Sequence, residues 1–181
     1  MRNAIFLDRD GVINKIIIKN GLPFSPPSFD QFEILPGVKE SISRLKKLNF
    51  LCLVVTNQPD VLRGKIEKKT VIKMNNYLKY EIKLDDIFVC YHDDHDNCIC
   101  RKPKPGLLLE ASKKWNIDLK KSYMIGDRWK DIESGRCVGC KTIFIDYNYK
   151  ETKPKNPDFT TVSLFNAVHL IEKIQDEKIK Q

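Results

Sequence analysis

The stretch "AIFLDRDGVIN", residues 4–14, decides how the rest of the chain is read. Ala4 to Leu7 is a short apolar run suited to a buried strand, and the chain then turns abruptly polar through Asp8, Arg9 and Asp10 before Gly11 opens a turn. In open α/β sheets the working residues gather beyond the carboxyl ends of the strands. A strand that stops on Asp-x-Asp-Gly therefore raises the question of whether later strands stop in the same way.

They do. Apolar, β-branched runs alternate with amphipathic segments: a helix over Gly37 to Leu48 with Val38, Ile42, Leu45 and Leu48 on one stripe, a strand over Phe50 to Val55, and a helix around Lys68 to Tyr80. A short strand at Ile87 to Val89, a helix from Gly106 to Trp115 opened by Pro105, a strand at Tyr123 to Ile125, a helix near Trp129 to Arg136 and a strand at Thr142 to Ile145 complete the series. After the polar, Pro-bearing loop "NYKETKPKNPD", the segment "FTTVSLFNAVHLIEKI" gives an edge strand or turn and a terminal helix over about 163–176, capped by Ser163 and carrying a half-buried His169. This order predicts an α/β fold: one Rossmann-like domain over residues 1–181, with a parallel sheet covered by helices on both faces. The stretch "GLPFSPPSFDQFEILPG", residues 21–37, reads as a Pro-rich loop in the position of a local lid.

The second strand ends in "VVTNQ" with Thr56 and Asn57, the third leads to Arg101 and Lys102, and the fourth ends in "IGDRWKD" with Asp127, Arg128 and Asp131. One sheet edge thus bears carboxylates from two strands, a hydroxyl and several cations, which suits a bound Mg²⁺ and a phosphate. With Mg²⁺ and Lys102 neutralising phosphoryl oxygens, a carboxylate can attack phosphorus and form an aspartyl-phosphate that water then cleaves. Asp8 is the candidate nucleophile. Asp10, two residues on, is the candidate acid/base that protonates the departing alkoxide and then takes a proton from water. Each segment alone has an ordinary reading as a turn, a cap or a solvated linker; it is their joint order, each at a strand end, that carries the catalytic reading.

Asp8-x-Asp10-Gly11-Val12, Thr56-Asn57, Lys102-Pro103 and Gly126-Asp127-x-x-x-Asp131 resemble the four ordered motifs of the haloacid dehalogenase superfamily phosphatases, and the likeness covers nearly the whole chain. Within that superfamily the chain looks like the capless, zinc-loop branch whose members act on heptose bisphosphate or histidinol phosphate. The resemblance implies a fold with no large cap domain, a nucleophile at Asp8, an acid/base at Asp10, and Mg²⁺ held by Asp8, the backbone carbonyl of Asp10, and Asp127. Thr56 and Lys102 would hold the phosphoryl group, with Asn57, Arg63, Arg101 and Arg128 binding the rest of the substrate. Arg63-Gly64 matches the heptose branch and suits a second phosphate. The implied reaction is removal of the 7-phosphate of a heptose 1,7-bisphosphate, with histidinol phosphate or another sugar phosphate as the alternative substrate. Asp60, beside Arg63, has to point away from a second phosphate.

The loop over residues 90–100 contains Cys90, His92, Cys98 and Cys100, a Cys-x-His-x5-Cys-x-Cys set that supplies four ligands for a closed, tetrahedral zinc site. A closed site leaves no position for substrate, so the zinc reads as a staple for the loop that carries Arg101 and Lys102. His95 is the rival ligand, and Asp93, Asp94 and Asp96 are read as that loop's solvated face. Of the six cysteines, Cys52, Cys137 and Cys140 lie apart and are taken as structural.

The formal net charge of +8 on 181 residues attracts anions. The lysines are nevertheless spread over helix surfaces without aromatic-basic interleaving, so a small phosphorylated substrate is expected rather than nucleic acid. The N-terminal apolar run is too short for a signal-peptide core, and no segment approaches the roughly 18 apolar residues of a membrane span, so a cytoplasmic monomer with no membrane partner is expected. The rival class is a basic zinc-binding module for nucleic acid or protein, which would be indifferent to the loss of Asp8.

Overall fold

The structure, a computed structural model, describes residues 1–179. β1 (Ala4–Leu7) has all four residues buried and lies at the centre of a parallel sheet, with β4 (Leu51–Asn57) on one side and β6 (Tyr123–Gly126) on the other. β5 (Asp86–Cys90) flanks β4, while β7 (Lys141–Ile145) and β8 (Phe159–Thr161) extend the sheet beyond β6, giving the order β5-β4-β1-β6-β7-β8. The segment read as an edge strand or turn is thus the sixth strand.

Alternation along β1 sends its side chains into two cores. Ile5 and Leu7 pack with α1 (Val38–Lys47), α2 (Lys68–Glu81) and α5 (Leu164–Ile179) through Ile42, Met74 and Ile171. Ala4 and Phe6 point the other way, to a cluster that includes Leu107 and Leu108 of α3 (Gly106–Trp115). α4 (Trp129–Cys137) lies on this second face, its Gly135 pressed so close to Met124 of β6 that a Cβ there would stand 2.6 Å from the methionine Cβ. With helices on both faces the central strands are covered twice, which is why they read as continuous apolar runs rather than alternating ones. Each fully buried Leu, Ile or Phe here is worth roughly 1.5–3 kcal/mol.

Two expectations are corrected. Residues 21–30 are not simply a loop: β2 (Ile17–Lys19) and β3 (Leu22–Phe24) form an antiparallel hairpin whose turn, Asn20-Gly21, has both φ values positive (55° and 81°), the conformation that Asn-Gly favours. His169 is exposed rather than half-buried, because the buried stripe of α5 runs through Leu164, Ala167, Val168 and Ile171 and leaves position 169 outside it. Ser163 caps α5 as expected, its Oγ accepting from Asn166 N at 3.1 Å. Among the described residues no helix is long and apolar enough to cross a membrane.

Candidate active site

Parallel register brings the strand ends to one level. Leu7 pairs with Val54 on one side and Ile125 on the other, so Asp8 leaves β1 and Asp127 leaves β6 near the end of β4, where Thr56 and Asn57 stand. Over this edge lies a cavity of about 350 Å³, floored by Asp8, Lys102, Asp127 and Asp131 and walled on one side by Phe24 and Ser25 of the hairpin region.

Lys102 is the centre of the floor. It is buried, and its Nζ lies 2.9 Å from Asp8 Oδ1 and 2.6 Å from Asp131 Oδ1 while donating to Val55 O at 2.8 Å. Asn57 fixes the lysine's backbone: its carboxamide donates to Lys102 O at 3.0 Å and accepts from Lys102 N at 3.1 Å. Asn57, expected to bind substrate, therefore spends its polar groups on delivering Lys102. Burial alone would lower the Lys102 pKa, but Asp131 and Asp8 outweigh it and hold the ammonium charged.

One lysine does not neutralise three carboxylates. Oxygens of Asp8, Asp127 and Asp131 lie within 4.8 Å of one another. Burial pushes Asp8 up to about 6; Lys102 opposes the rise, and Asp131 and Asp10 add to it. Burial, followed by the charges of Asp8 and Asp131, raises Asp127 well above the ordinary carboxylate range. Asp127 Oδ2 accepts from the Tyr149 hydroxyl at 2.9 Å, whereas Oδ1 is buried with no hydrogen-bond partner among the described residues. A clustered excess of carboxylates with an orphaned buried oxygen fits a hard divalent cation, which satisfies both the charge and the lone pair. Asp131, given no ligand or substrate role from sequence, anchors Lys102 through Oδ1 and accepts from Arg128 N at 3.0 Å through Oδ2 at the first turn of α4.

Asp10 is turned into a cage of donors. Arg9 Nη2 lies 3.0 Å from both of its oxygens, Asn14 donates at 2.9 Å, Ser25 Oγ at 2.8 Å and Gln58 at 2.7 Å. Arg9 is itself wholly buried, bonded to Asn75 at 3.1 Å and stacked over Phe32. Burial would raise the Asp10 pKa, but Arg9 and then Asn14, Gln58 and Ser25 overcome it and hold the carboxyl below its usual value. Gln58 also donates to Thr56 Oγ1 at 3.0 Å, joining the two strand-end motifs. None of these partners was singled out from sequence. Arg9 stood in view between the two aspartates, but the approach of Ser25 and Gln58 depends on tertiary structure.

The cations expected to bind substrate all line the cavity, and each carries an acidic partner. Arg63 Nε and Nη2 donate to Asp93 at 2.6 and 2.5 Å, and Nη1 donates to Asp60 at 3.3 Å. Arg101 Nε donates to Asp94 at 2.7 Å, and Arg128 is paired with Glu151. Asp93 and Asp94 are thus not a merely solvated face, since they tie the loop after β5 to Arg63 and Arg101; Arg63 foremost holds Asp93 well below the usual carboxylate range. Asp60 is neutralised by Arg63 and by Lys65 at 3.7 Å.

Cys90, His92, Cys98 and Cys100 converge, with ligand atoms 3.2–3.8 Å apart for the five pairs in contact. A tetrahedron with Zn–S bonds of about 2.3 Å has edges of roughly 3.7 Å, so the set matches a closed zinc site. His92, through Nδ1, completes the set, and His95 is not part of it. Cys52 and Cys140 are buried and Cys137 is exposed.

A family model described as haloacid dehalogenase-like hydrolase matches residues 26–139. The chain is 35% identical over 169 residues, 87% of either chain, to a D-glycero-beta-D-manno-heptose-1,7-bisphosphate 7-phosphatase from Pasteurella multocida. It is 36% identical over 154 residues to the protein of the same name from Escherichia coli K12, covering 77% of this chain and 78% of the relative. Its fold is similar to that of D,D-heptose 1,7-bisphosphate phosphatase from B. bronchiseptica, a crystal structure with magnesium and phosphate, at a TM-score of 0.78 and 24% identity over 94% of this chain and 98% of that one.

Proposed function

Because the chain belongs to the haloacid dehalogenase-like hydrolases, we propose that it is a magnesium-dependent phosphatase that removes the 7-phosphate of D-glycero-beta-D-manno-heptose 1,7-bisphosphate. The observation that carries this reading is the Asp8–Lys102–Asp131–Asp127 cluster, with its unpartnered Asp127 Oδ1, under a cavity ringed by arginines.

Asp8 is the nucleophile. Its Oδ1 is fixed by Lys102 and by the Arg9 backbone N–H at 2.8 Å, which sets the orientation from which the carboxylate meets phosphorus. Magnesium, which Asp8, Asp127 and the backbone carbonyl of Asp10 would hold, supplies charge neutralisation for the phosphoryl oxygens. Lys102 adds a fixed positive charge to the same group, and Thr56, whose buried Oγ1 accepts from Gln58, would turn its hydroxyl proton to it. In the second half of the reaction Asp10 takes a proton from the water that cleaves the aspartyl-phosphate, and the donors around it maintain the carboxylate form this needs. In the first half Asp10 must carry a proton for the leaving alkoxide. Arg9 and the other donors oppose that form, so it belongs to a state in which some of these contacts have been given up.

The substrate's second phosphate lies toward Arg63, Arg101 and Arg128. Three of the five guanidinium N–H groups of Arg63 are committed to Asp93 and Asp60, which leaves two for an anion. Cys90, His92, Cys98 and Cys100 would hold a structural zinc that fixes the loop delivering Lys102. Action as a monomer on a small molecule is part of the same proposal, and the unpaired cysteines suit a reducing compartment such as the cytoplasm.

The test is phosphate release, with and without Mg²⁺, from both anomers of the heptose bisphosphate, from the 7-monophosphate and from histidinol phosphate. The reading predicts Mg²⁺-dependent turnover of the beta anomer, lost by a factor on the order of 10⁵ or more in Asp8→Asn. Arg63→Ala should lower kcat/KM for the bisphosphate by about 10–100-fold, the worth of a charge-assisted contact, and barely change it for the 7-monophosphate. Turnover of histidinol phosphate alone would refute the substrate, and an active Asp8→Asn would refute the mechanism.

A further inference from the structure

We propose that Tyr149 is a positioning residue for magnesium: its hydroxyl holds Asp127 Oδ2 so that Oδ1 is presented to the cation. The inference rests on the magnesium-phosphatase reading but concerns a residue outside the motifs that led to it. Tyr149 lies in the polar loop between β7 and β8, where nothing in residue type or spacing marks it.

The geometry is asymmetric about the Asp127 carboxylate. Oδ2 accepts from the Tyr149 hydroxyl at 2.9 Å and lies close over Gly11, where a Cβ would stand 2.0 Å from it. Oδ1 is buried and without a hydrogen-bond partner among the described residues. A carboxylate on a short side chain rotates about its last bond unless something fixes it, and here the phenol accounts for one oxygen and leaves the other to the metal. Carboxylate ligands are characteristically held by such outer contacts, whose loss costs about 10–100-fold in metal affinity or activity.

The loop that brings the tyrosine is fastened at two further points outside itself: Lys150 N donates to Gly21 O of the hairpin turn at 2.9 Å, and Glu151 pairs with Arg128. Tyr147 stacks on Tyr149 within the loop, ring centroids 5.6 Å apart. Asp127 thus takes its orientation from a loop secured to the hairpin beside the cavity.

The experiment is a calorimetric titration of Mg²⁺ into the full-length, zinc-loaded protein, comparing wild type with Tyr149→Phe and Tyr147→Leu, with thermal denaturation in Mg²⁺-free buffer and in Mg²⁺ alongside. Tyr149→Phe keeps the ring and removes only the hydroxyl. The proposal predicts an Mg²⁺ dissociation constant raised about 10–100-fold in Tyr149→Phe, a matching rise in the Mg²⁺ concentration for half-maximal activity, recovery of kcat at saturating Mg²⁺, and near-wild-type Mg²⁺ binding in Tyr147→Leu. Unchanged Mg²⁺ affinity in Tyr149→Phe, with or without a lower Tm in Mg²⁺-free buffer, would overturn it, because the hydroxyl would then only satisfy a buried carboxylate. Equal weakening in Tyr147→Leu would overturn it too, by assigning the effect to loop packing. Wild-type protein that binds no Mg²⁺ would sink the magnesium reading itself.

Discussion

At position 11 a single missing carbon decides whether two strand ends can share one cation. Gly11 has φ at 84° and sits where a Cβ would lie 2.0 Å from Asp127 Oδ2. Gly11→Ala should cost about 1–2 kcal/mol from the left-handed backbone alone and lower Tm by roughly 2–8 °C. Displacement of Asp127 should also cut kcat on the order of 100-fold. Thermal denaturation and Mg²⁺-dependent phosphate release check the two effects separately, and a variant with wild-type activity would contradict the close packing of Gly11 on Asp127. The residues legible in the sequence were those tied to a strand end: the chain order placed Asp8, Thr56 and Asp127 at one edge, and the structure brings Asp8 and Asp127 together with Lys102, while Thr56 lies buried with its hydroxyl bonded to Gln58. What stayed illegible were partners set by distance through the fold. Gln58 and Ser25 reach Asp10 from 48 and 15 residues away, and Tyr149 reaches Asp127 from a loop that reads only as polar.

Among the elements, the loop over residues 90–100 carries the clearest prediction. It precedes Lys102 directly, and Asp93 and Asp94 extend from it to Arg63 and Arg101. Stripping the zinc, or replacing Cys100 with Ser, should free the loop and lower kcat by about 100-fold, the cost of displacing a catalytic group by roughly 1 Å. Zinc content, hydrogen exchange across residues 91–101 and turnover would be measured together. Full activity in protein shown to be zinc-free would refute the staple. The β2–β3 hairpin shows how an element can be missed although its signal is present: Asn20-Gly21 separates two short apolar runs, but the prolines that follow drew attention to a loop. In β8 the difficulty was length, since three residues too few to show a period became a strand only by pairing with β7.

The whole molecule stores an electrostatic imbalance that a divalent cation would relieve. Without metal, burial holds Asp8 at about 6, above its ordinary value of 3.8. A carboxyl whose pKa is raised on folding binds its proton more tightly in the folded state. Its contribution is therefore favourable below the unfolded pKa and is lost as pH rises through about 4 to about 6. On the proposed function Mg²⁺ would take the place of that proton. The stabilisation it confers should be larger at about pH 7.5 than at about pH 5, and its affinity should fall by about tenfold per pH unit below 6 for each proton exchanged. Thermal shifts with and without Mg²⁺ at the two pH values decide this, and an equal shift at both would contradict the carboxylate cluster as the binding site. The sheet order itself was legible as alternating strands and helices, because doubly covered strands must be apolar throughout. The net charge of +8 was legible only as a field, since sequence does not reveal that the cavity's arginines are paired with Asp93, Asp94 and Glu151. On the proposed mechanism Asp8 itself receives the phosphoryl group. Acid-quenching the enzyme within a single turnover of heptose 1,7-bisphosphate and locating any phosphorylated peptide by mass spectrometry tests this. Transient phosphorylation at Asp8, absent from Asp8→Asn, is the predicted result. Phosphate release at an undiminished rate with no phosphorylated Asp8 at any time would contradict it.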